Sequence, residues 1–409
     1  MDKQFFTSNR KELFELLPDK SIAVFSATVS DSGNLPVDFE QNANFFYLTG
    51  LKVANAQLIL AKHGKASQPM IFIERNIPEM EVWIGKKLSK EEVKEISGVE
   101  KVFYIDELPS VFHNIVLTSE VCFYDHHANK IGANLTDSLY QIKEITAHYP
   151  ALKILHPGPF LTQLRSIKKK DEIKEMQEAI RITHHAIINL MKNTKPGIME
   201  YELEAYFRFE CVKNNAKQMA FFPIIASGKN ATILHYEKNN CKVGQDDLVL
   251  VDVGAKWNEY CADITRTFPA NGTFSARQKE VYEEVLQINK AIIKIVKPGL
   301  SLKDLQDETI KLMKIALKKL NLIKKDDEFK KYYMHGVSHM LGLAAHDLAD
   351  RSKTLGVGTV ITVEPGIYIP EEGIGVRIED DILVTKDGYE NLSKDIPKEI
   401  SDIESIMKK

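Results

Sequence analysis

Two aspartates, Asp252 and Asp263, lie in an apolar, β-branched stretch of the chain where an ionised carboxylate is expensive to bury. The runs DLVLVDV and EYCADITRTF around them are typical of two strands. A tight turn at Trp257-Asn258 would set Asp252 opposite Asp263, with their Cβ atoms about 5 Å apart. Two ionised carboxylates at that distance repel each other, so a cation between them would turn the pair into a binding site.

The same hairpin is compatible with a purely structural role for both acids. One aspartate would then cap a turn, while the other would pair with Arg266. The local pattern favours neither interpretation. The rest of the chain must therefore distinguish a cation-binding role of the two aspartates from a structural one.

Three histidines lie within the segment MHGVSHMLGLAAHD, at His335, His339 and His346. The spacing of His335 and His339 is that of a metal-binding helix, but Gly336 and Gly342 argue against a regular helix, and the HExxH motif is absent. Any one of these residues could be a partly buried histidine with an ordinary hydrogen bond. Three of them interleaved with glycines favour a functional site.

Two glutamates and an arginine follow further along the chain. Glu364 ends the apolar run VITV and precedes the turn-forming Pro365-Gly366. Arg377 and Glu379 are predicted to share one face of a strand, because side chains on a strand alternate with a period of two. A charged strand end or a same-face ion pair of little energetic weight explains each segment alone. A purely structural explanation would have to hold at once for the hairpin, the histidine segment, the segment of Glu364 and the segment of Arg377 and Glu379.

The elements that would position these residues divide the chain into two domains. A chain of 409 residues is long for one compact domain. Strand-like runs alternate with helical patterns up to about residue 155, which indicates an α/β domain. The turn-forming segment HPGPF at 156–160 is followed by the start of a long amphipathic helix. We expect an N-terminal domain over 1–157 and a second domain over 168–409. The strand-like runs are SIAVFSA, NFFYLTG, AQLILA, MIFIE, KVFYI and EVCFYD, and the helical patterns run over 89–96 and 133–145.

The second domain contains an internal repeat. TKPGIMEYELEAYFRF, at 194–209, resembles VKPGLSLKDLQDETIK, at 296–311. In both copies a long helix ends at Lys-Pro-Gly, a second helix follows, and a strand-rich segment comes next. The matched flanking elements favour a duplicated helix-helix-sheet unit with a site at the interface of the two halves.

Composition excludes several classes of partner and location. The chain is 44% hydrophobic and 27% charged, with a formal net charge of −3, which gives no electrostatic reason to expect nucleic acid or an anionic membrane as partner. The four cysteines form no CxxC pair and suit free thiols in a reducing compartment. Neither a signal peptide nor an apolar run of about 20 residues is found. We therefore expect a cytoplasmic protein.

The chain resembles the pita-bread metallopeptidases, and most closely the Xaa-Pro aminopeptidases. The resemblance covers nearly the whole sequence and is carried by two N-terminal and four C-terminal segments. It implies an N-terminal α/β, creatinase-like domain followed by a pita-bread catalytic domain with an internal pseudo-twofold repeat, an α+β or α/β architecture overall. The segments are NFFYLTG, RNIPEMEVWIGKKLS, DVGAKWNEYCADITRTF, HGVSHMLGLAAHD, TVEPGIYI and GVRIEDD, in that order.

The resemblance also implies a two-metal centre. Asp252 would bind one ion, His339 with Glu364 would bind the other, and Asp263 and Glu379 would bridge the pair. Four carboxylates carry four negative charges, which two divalent cations balance. Oxygen-rich ligands with one imidazole favour Mn(II), although Co(II), Zn(II) or Fe(II) would also fit.

The resemblance implies roles for the residues around the metals. A hydroxide shared by the ions would attack the peptide carbonyl, and Glu364 would carry the proton to the departing proline nitrogen. His346 and His235 would hydrogen-bond the substrate, while His335 and Arg377 would support the pocket. Trp83 is a candidate wall for the proline pocket, with core packing as the slightly favoured alternative. Substrates would be peptides with proline at the second position.

Two other functions stay open on the sequence. Prolidase, an Xaa-Pro dipeptidase, has the same fold, metals and chemistry and differs in whether a longer peptide fits past the proline. A metal-free pita-bread protein, either a binding module or a creatinase-like hydrolase, would have lost ligands that are all present here. Relatives often form dimers or tetramers, so we expect a homo-oligomer.

Overall fold

The structure, a computed structural model, describes residues 1–30, 39–126, 130 and 133–408. Within these residues the chain separates into two compact units, Met1–Arg165 and Ser166–Lys409. The separation falls inside the interval 157–168 that the sequence singles out. The domain limits of 1–157 and 168–409 stay a prediction, because the division reflects contacts rather than independent folding.

A six-stranded mixed sheet forms the centre of the N-terminal unit. The strand order is β4-β3-β2-β1-β5-β6, with antiparallel pairs in the middle and parallel pairs at both edges. The strands are β1 (Ser21–Ser26), β2 (Gln57–His63), β3 (Ala66–Ile73), β4 (Lys101–Tyr104), β5 (Val121–Tyr124) and β6 (Lys153–Leu155). The helices are α1 (Lys3–Leu16), α2 (Ala43–Thr49), α3 (Glu81–Ile84), α4 (Lys90–Ser97), α5 (Leu108–Val116), α6 (Asp137–His148) and α7 (Gly158–Arg165).

One predicted strand of this unit is wrong. The run NFFYLTG forms the helix α2 rather than a strand. The side chain of Asn42 caps its first turn by accepting hydrogen bonds from the backbone N–H groups of Asn44 and Phe45. Gly50 ends it in the left-handed conformation, with a φ of 71°. A short buried apolar run has no readable periodicity, so the flanking Asn and Gly carried the only local signal.

The second unit consists of helices and short antiparallel strands. The α-helices of its described residues are α8 (Lys170–Asn193), α9 (Glu200–Lys213), α10 (Ala276–Ile295), α11 (Leu302–Lys319) and α12 (Ile400–Met407). Its strands are β7 (Gln218–Met219), β8 (Ile224–Ser227), β9 (Leu248–Val253), β10 (Ala255–Trp257), β11 (Tyr260–Cys261), β12 (Ile264–Pro269), β13 (Val360–Val363), β14 (Gly366–Ile369), β15 (Ile374–Arg377), β16 (Asp380–Thr385) and β17 (Gly388–Asn391). They form sheets in the orders β11-β10-β7, β12-β9-β8, β13-β16-β17 and β14-β15.

The predicted internal repeat is present in the second unit. Helix α8 is followed by α9 and then by strands, and α10 is followed by α11 and then by strands. The Lys-Pro-Gly turn that separates the helices is the same in both copies, because Gly197 and Gly299 adopt left-handed φ values of 90° and 91°. One continuous apolar core packs the helices against the sheets of both halves. Among the described residues, no helix combines the length and apolar composition needed to cross a bilayer.

Candidate metal centre

The four segments that the sequence singles out converge on one cavity of about 490 Å³ in the second unit. Strand ends and irregular segments line it, and these are the places where polar side chains can leave the apolar core. All nine residues predicted for the metal site and the catalytic site line this cavity. They are Asp252, Asp263, His339, Glu364, Glu379, His235, His335, His346 and Arg377.

The two aspartates reach the cavity, but the predicted pairing between them is wrong. The hairpin turn falls at Asn258-Glu259, both with positive φ, rather than at Trp257-Asn258. Turns of two such residues match the twist of the flanking strands, and Asn is favoured in them. As a result Asp252 in β9 lies opposite Thr265 in β12, two residues beyond the predicted partner. Asp263 lies in the break between β11 and β12, beside the end of β9.

A close approach of two backbone segments fixes this arrangement. The carbonyl oxygen of Ala262 lies 1.9 Å from the position that a Cβ atom would occupy at Gly254. The backbone N–H of Ala262 in turn donates to the carbonyl of Ala255 at 3.1 Å. Glycine at 254 therefore lets the chain just before Asp263 pass against the end of β9. The two aspartates face the same cavity because of this contact.

Three ligand-type atoms from distant parts of the chain cluster together. One side-chain atom each from Asp263, His339 and Glu379 lie within 4.8 Å of one another. Nε2 of His339 is 3.6 Å from Oδ2 of Asp263 and 3.6 Å from Oε1 of Glu364. These separations are longer than good hydrogen bonds. They fit atoms that surround a shared ion, since ligands about 2.1 Å from a metal lie roughly 3–4 Å apart.

The electrostatics of the carboxylates fit a cation as well. Burial, followed by the charge of Asp252, raises the pKa of Asp263 well above its usual range. Burial, followed by the charges of Asp263 and Glu364, does the same to the pKa of Glu379. Burial raises the pKa of Glu364 to about 8, with Arg377 opposing and Asp252 reinforcing the shift. Acids gathered where their ionised forms are penalised need positive charge to stay ionised.

Arg377 supplies part of the positive charge that these acids need, and its ion pair is with Asp252. Its guanidinium donates to Oδ2 of Asp252 at 2.6 Å, to the hydroxyl of Tyr368 at 3.0 Å and to Oγ1 of Thr265 at 3.1 Å. Arg377 and Glu379 do not share a strand face, which corrects the prediction. Strand β15 ends at Arg377, and Glu379 lies in the two-residue connection to β16, where its Oε2 accepts from Thr265 at 2.6 Å.

The predicted structural alternative for the aspartates is also wrong in its choice of partner. Arg266 is fully buried and donates to Oδ1 of Asp380 at 2.8 Å, not to Asp252 or Asp263. It also donates to backbone carbonyls, including that of Glu379. The charges of Arg266 and Lys398 outweigh burial and lower the pKa of Asp380 to about 2. Arg266 thus stabilises the connection that presents Glu379.

The histidines divide into half-buried and exposed members. The predicted irregular backbone is found, since the segment from His335 to His339 forms no helix. His335 contacts the hydroxyl of Tyr368 through Nε2 at 2.8 Å, and burial lowers its pKa to about 4. Burial, followed by the charge of His346, likewise lowers the pKa of His339 to about 4. Both rings are therefore neutral at pH 7. His235 and His346 are exposed, and the ring of His346 stacks on His339 with centroids 4.0 Å apart.

Sequence reasoning missed several residues that hold the ligands. Thr265 bonds Glu379 and Arg377, Tyr368 bonds His335 and Arg377, and Asp381 accepts from the backbone N–H of Asp263 at 3.2 Å. Thr265 and Asp381 each lie two residues beyond a predicted ligand, which was the available signal. Trp83, in the N-terminal unit, is 78% exposed, so the alternative that it packs in the core is wrong. Its role as a pocket wall stays a prediction.

Comparisons with known proteins agree on one family. The profile of metallopeptidase family M24 matches residues 174–386, and that of the aminopeptidase P N-terminal domain matches residues 6–123. The Xaa-Pro aminopeptidase of Haemophilus influenzae is 35% identical over 428 aligned positions, covering 100% of this chain and 98% of the relative.

Solved structures give the same result. A Bacillus anthracis protein described as a candidate aminopeptidase P superposes with a TM-score of 0.96 at 44% identity, covering 100% of this chain and 98% of its own. Aminopeptidase P from Escherichia coli, solved with the inhibitor Pro-Leu, superposes with a TM-score of 0.90 at 31% identity over the same shares of the two chains. By fold, by full-length sequence similarity and by both domain profiles, the chain belongs to metallopeptidase family M24, the metal-dependent hydrolases that include the Xaa-Pro aminopeptidases.

Proposed function

We propose that the chain removes the N-terminal residue from peptides whose second residue is proline, with two divalent ions held by Asp252, Asp263, His339, Glu364 and Glu379. One observation carries the proposal. These five side chains line one cavity, and three of them present ligand-type atoms within 4.8 Å of one another. Their chemistry suits cations, because three of the four carboxylates have pKa values raised by burial.

Membership of a metallopeptidase family implies divalent metal ions, and the donor set favours particular ones. Four carboxylates with a single imidazole form an oxygen-rich site without thiolates, which favours Mn(II) over sulfur-seeking metals. The buried oxygen Oδ1 of Asp252, which has no hydrogen-bond partner among the described residues, supports a cation on that side of the site. Asp263 and Glu379 are the proposed bridging ligands, because each is placed beside other carboxylates of the set.

Divalent ions, when held by these five residues, would supply a nucleophile near neutral pH and would polarise the peptide carbonyl. The chain's own residues do the rest. Glu364 is the proposed proton carrier, because it lines the cavity beside the other proposed ligands and a carboxylate there can take up and release a proton. The proton it holds goes to the nitrogen of the departing proline. Neutral His335 contacts the hydroxyl of Tyr368 through Nε2 and the carbonyl of Gly336 through Nδ1, and Nδ1 lies 3.8 Å from Oε2 of Glu364, so this ring lines the same side of the cavity as that carboxyl.

Substrate contacts are proposed for the exposed side of the cavity. His235 and His346 are exposed there and offer imidazole nitrogens to a peptide carbonyl. The apolar residues Phe221, Phe222 and Leu234 line the same cavity and suit a proline ring. An Xaa-Pro bond has no N–H to donate, so recognition must depend on such carbonyl and ring contacts.

The main alternative, a prolidase, differs in which peptide lengths it accepts. The full-length similarity to Xaa-Pro aminopeptidases supports the aminopeptidase. A metal-free binding module or a creatinase-like hydrolase is disfavoured because all five ligand positions are occupied by ligand-type residues. A homo-oligomer and a cytoplasmic location remain part of the proposal, the latter supported by four cysteines that form no disulfide.

The test is a cleavage assay on peptides of matched sequence and different length. With Mn(II), the enzyme should release the first residue of Ala-Pro-Ala-Ala and of Ala-Pro-Ala, and should cleave the dipeptide Ala-Pro more slowly. Ala-Ala-Ala-Ala is the control and should stay intact, and chelation should stop every reaction. Cleavage restricted to Ala-Pro would assign a prolidase, and equal rates with and without metal would refute the proposal.

A further inference from the structure

A short closed loop, Met340–Asp347, connects the two stacked histidines of the site. The backbone N–H of Asp347 donates to the carbonyl of Met340 at 2.9 Å, which closes the loop at its base. The carbonyl of Gly342 accepts from the backbone N–H of Cys261 at 2.8 Å, which ties the loop to β11. His339 directly precedes the loop, and His346 is its penultimate residue. The loop therefore determines how the two rings face each other.

The two rings are held in different ways. His339 is anchored to the end of β13, because the backbone N–H of Thr362 donates to its carbonyl at 3.0 Å and its own N–H donates to Oγ1 of Thr362 at 3.2 Å. His346 is exposed, and its ring stacks on His339 at 4.0 Å with an interplanar angle of 22°. The next residue, Asp347, is buried. The place of the His346 ring thus depends on what holds Asp347.

Asp347 is held by a buried lysine from outside the loop. Nζ of Lys168 lies 3.1 Å from Oδ2 of Asp347, and each side chain is 1% exposed. The backbone N–H of Lys168 donates to the carbonyl of Gly358 at 2.8 Å, just before α8 begins, which fixes the lysine in turn. Desolvating two charges offsets most of their attraction, so such a pair contributes little net stability and suits a role in conformational specificity.

The loop is built around this ion pair. A Cβ atom at Gly342 would lie 2.2 Å from Oδ2 of Asp347 and 2.8 Å from Cε of Lys168, so any larger residue there would displace the pair. Buried Glu172 lies behind it, accepting from the hydroxyl of Tyr260 at 3.0 Å, and its pKa responds to the charges of both Lys168 and Asp347. The pair therefore lies among the start of α8, β11 and the loop, with a second buried acid beside it.

We propose that the Lys168–Asp347 ion pair is a positioning device that sets the imidazole of His346 over the imidazole of His339. Neither Lys168 nor Asp347 lines the cavity of the metal centre, so the pair would act through His346. This inference rests on the proposed function, in which His346 contacts the substrate. Small misplacements of such a group cost on the order of 100-fold in rate.

The test is a double-mutant cycle on kcat between Asp347 and His346. Asp347→Asn keeps the size of the side chain but removes its charge, and we expect kcat to fall by about 10- to 100-fold at an unchanged Mn(II) content, because Thr362 holds His339 independently. In a His346→Ala background the same substitution should leave kcat unchanged. A crystal structure of metal-free Asp347→Asn should show the His346 ring displaced from its stack. Equal losses in the two backgrounds, or an undisturbed stack, would overturn the proposal.

Two further variants keep the test decisive. If Asp347→Asn fails to fold because Lys168 is left buried without its charge partner, Lys168→Met with Asp347→Asn removes both charges and is measured in the same way. Lys256→Met, which breaks the comparably buried pair of Lys256 with Glu259 at 3.4 Å, is the control and should lower the melting temperature without coupling to His346. If His346→Ala alone had normal kcat, the proposed role of His346 would fail. The position of the ring in the Asp347→Asn crystal would then decide on the ion pair.

Discussion

The guanidinium of Arg377 lies 2.6 Å from Oδ2 of Asp252, while the other oxygen of the same carboxylate is buried and has no hydrogen-bond partner among the described residues. Arg377 thus balances the charge at Oδ2 of Asp252, while Oδ1 is left without a basic partner in the described part of the cavity. A single arginine cannot balance four carboxylates. The arrangement is that of a site whose remaining positive charge comes from bound cations.

Replacing Asp263 by asparagine tests the proposed bridging role. Asparagine keeps the shape but carries no charge, so the site would lose one of the two ligands proposed to contact both ions. We expect kcat/KM to fall by more than the roughly 10- to 100-fold that outer-shell substitutions cost, together with Mn(II) content. Metal analysis and peptide cleavage measure the two effects. Near-normal turnover at two ions per chain would contradict the bridging role.

Thr265→Val tests the support of Glu379. Oγ1 of Thr265 donates to Glu379 at 2.6 Å and accepts from Nε of Arg377 at 3.1 Å, so valine removes both bonds at nearly constant volume. We expect Mn(II) affinity, measured by calorimetry, to fall about 10- to 100-fold. Thr309→Val is the matched control, because Thr309 is equally buried and bonds only a carbonyl of its own helix. The same affinity loss in both variants would contradict the account.

Without metal, the chain should lose stability as pH rises from 7 to 8. Glu364 has a folded-state pKa of about 8, above its unfolded value, so the folded state binds more protons in this window and the free energy of unfolding falls as its proton leaves. The pKa values of Asp263 and Glu379 are raised in the same direction, so any proton that they release in this window adds to the fall. The effect is at most about 1.4 kcal/mol per pH unit for each proton. The half-buried His335 and His339, with pKa values of about 4, contribute in the opposite direction but mainly below pH 6.5.

Thermal melts of the chelated protein measure this dependence. With saturating Mn(II) the decline should become shallower, because ligands must release their protons to bind metal. The variant Glu364→Gln is the control and should remove the contribution of Glu364 to the pH dependence of the melting temperature. A melting temperature of the chelated protein that rises between pH 7 and 8 would show that the acids are ionised and balanced in some other way.

Gly254→Ala tests the backbone contact that brings the aspartates together. A Cβ atom there would meet the carbonyl oxygen of Ala262 at 1.9 Å, and a backbone atom cannot rotate away. We expect a loss of about 1–3 kcal/mol in the free energy of unfolding, as in other overpacked sites, and weaker Mn(II) binding because Asp263 must move. Chemical denaturation and metal titration measure both. Wild-type values for the two quantities would contradict the role given to this contact.

The fold was predictable from the sequence wherever the hydrophobic periodicity and the turn-forming residues indicated the same element. The repeated Lys-Pro-Gly turns, the strands β1 to β5 of the N-terminal sheet and the long helix α8 were all readable from local pattern, whereas the three-residue edge strand β6 was not predicted. The NFFYLTG helix was misread because a short apolar run looks the same in a buried helix and in a strand. Its identity depended on Asn42 and Gly50 at its ends.

The residue types of the site could be predicted from the sequence, but the strand register and the contacts between these residues could not. Acids and histidines in apolar surroundings marked the cavity, yet the register of Asp252 depended on where a two-residue turn fell, and an error of one position moved its partner by two. Arg377 and Glu379 were assigned to one strand because the break after β15 has no glycine or proline to mark it. The Lys168–Asp347 pair joins residues 179 positions apart, and no local pattern reports such a contact.

The central claim is that five side chains hold two divalent ions in the second unit. Anomalous X-ray diffraction from crystals soaked in Mn(II) tests it most directly. The account predicts two anomalous peaks within the cavity, with Asp252, Asp263, His339, Glu364 and Glu379 as the protein ligands. A single peak, peaks outside the cavity, or an ordered cavity in which these acids pair with basic side chains and bind no metal would contradict it.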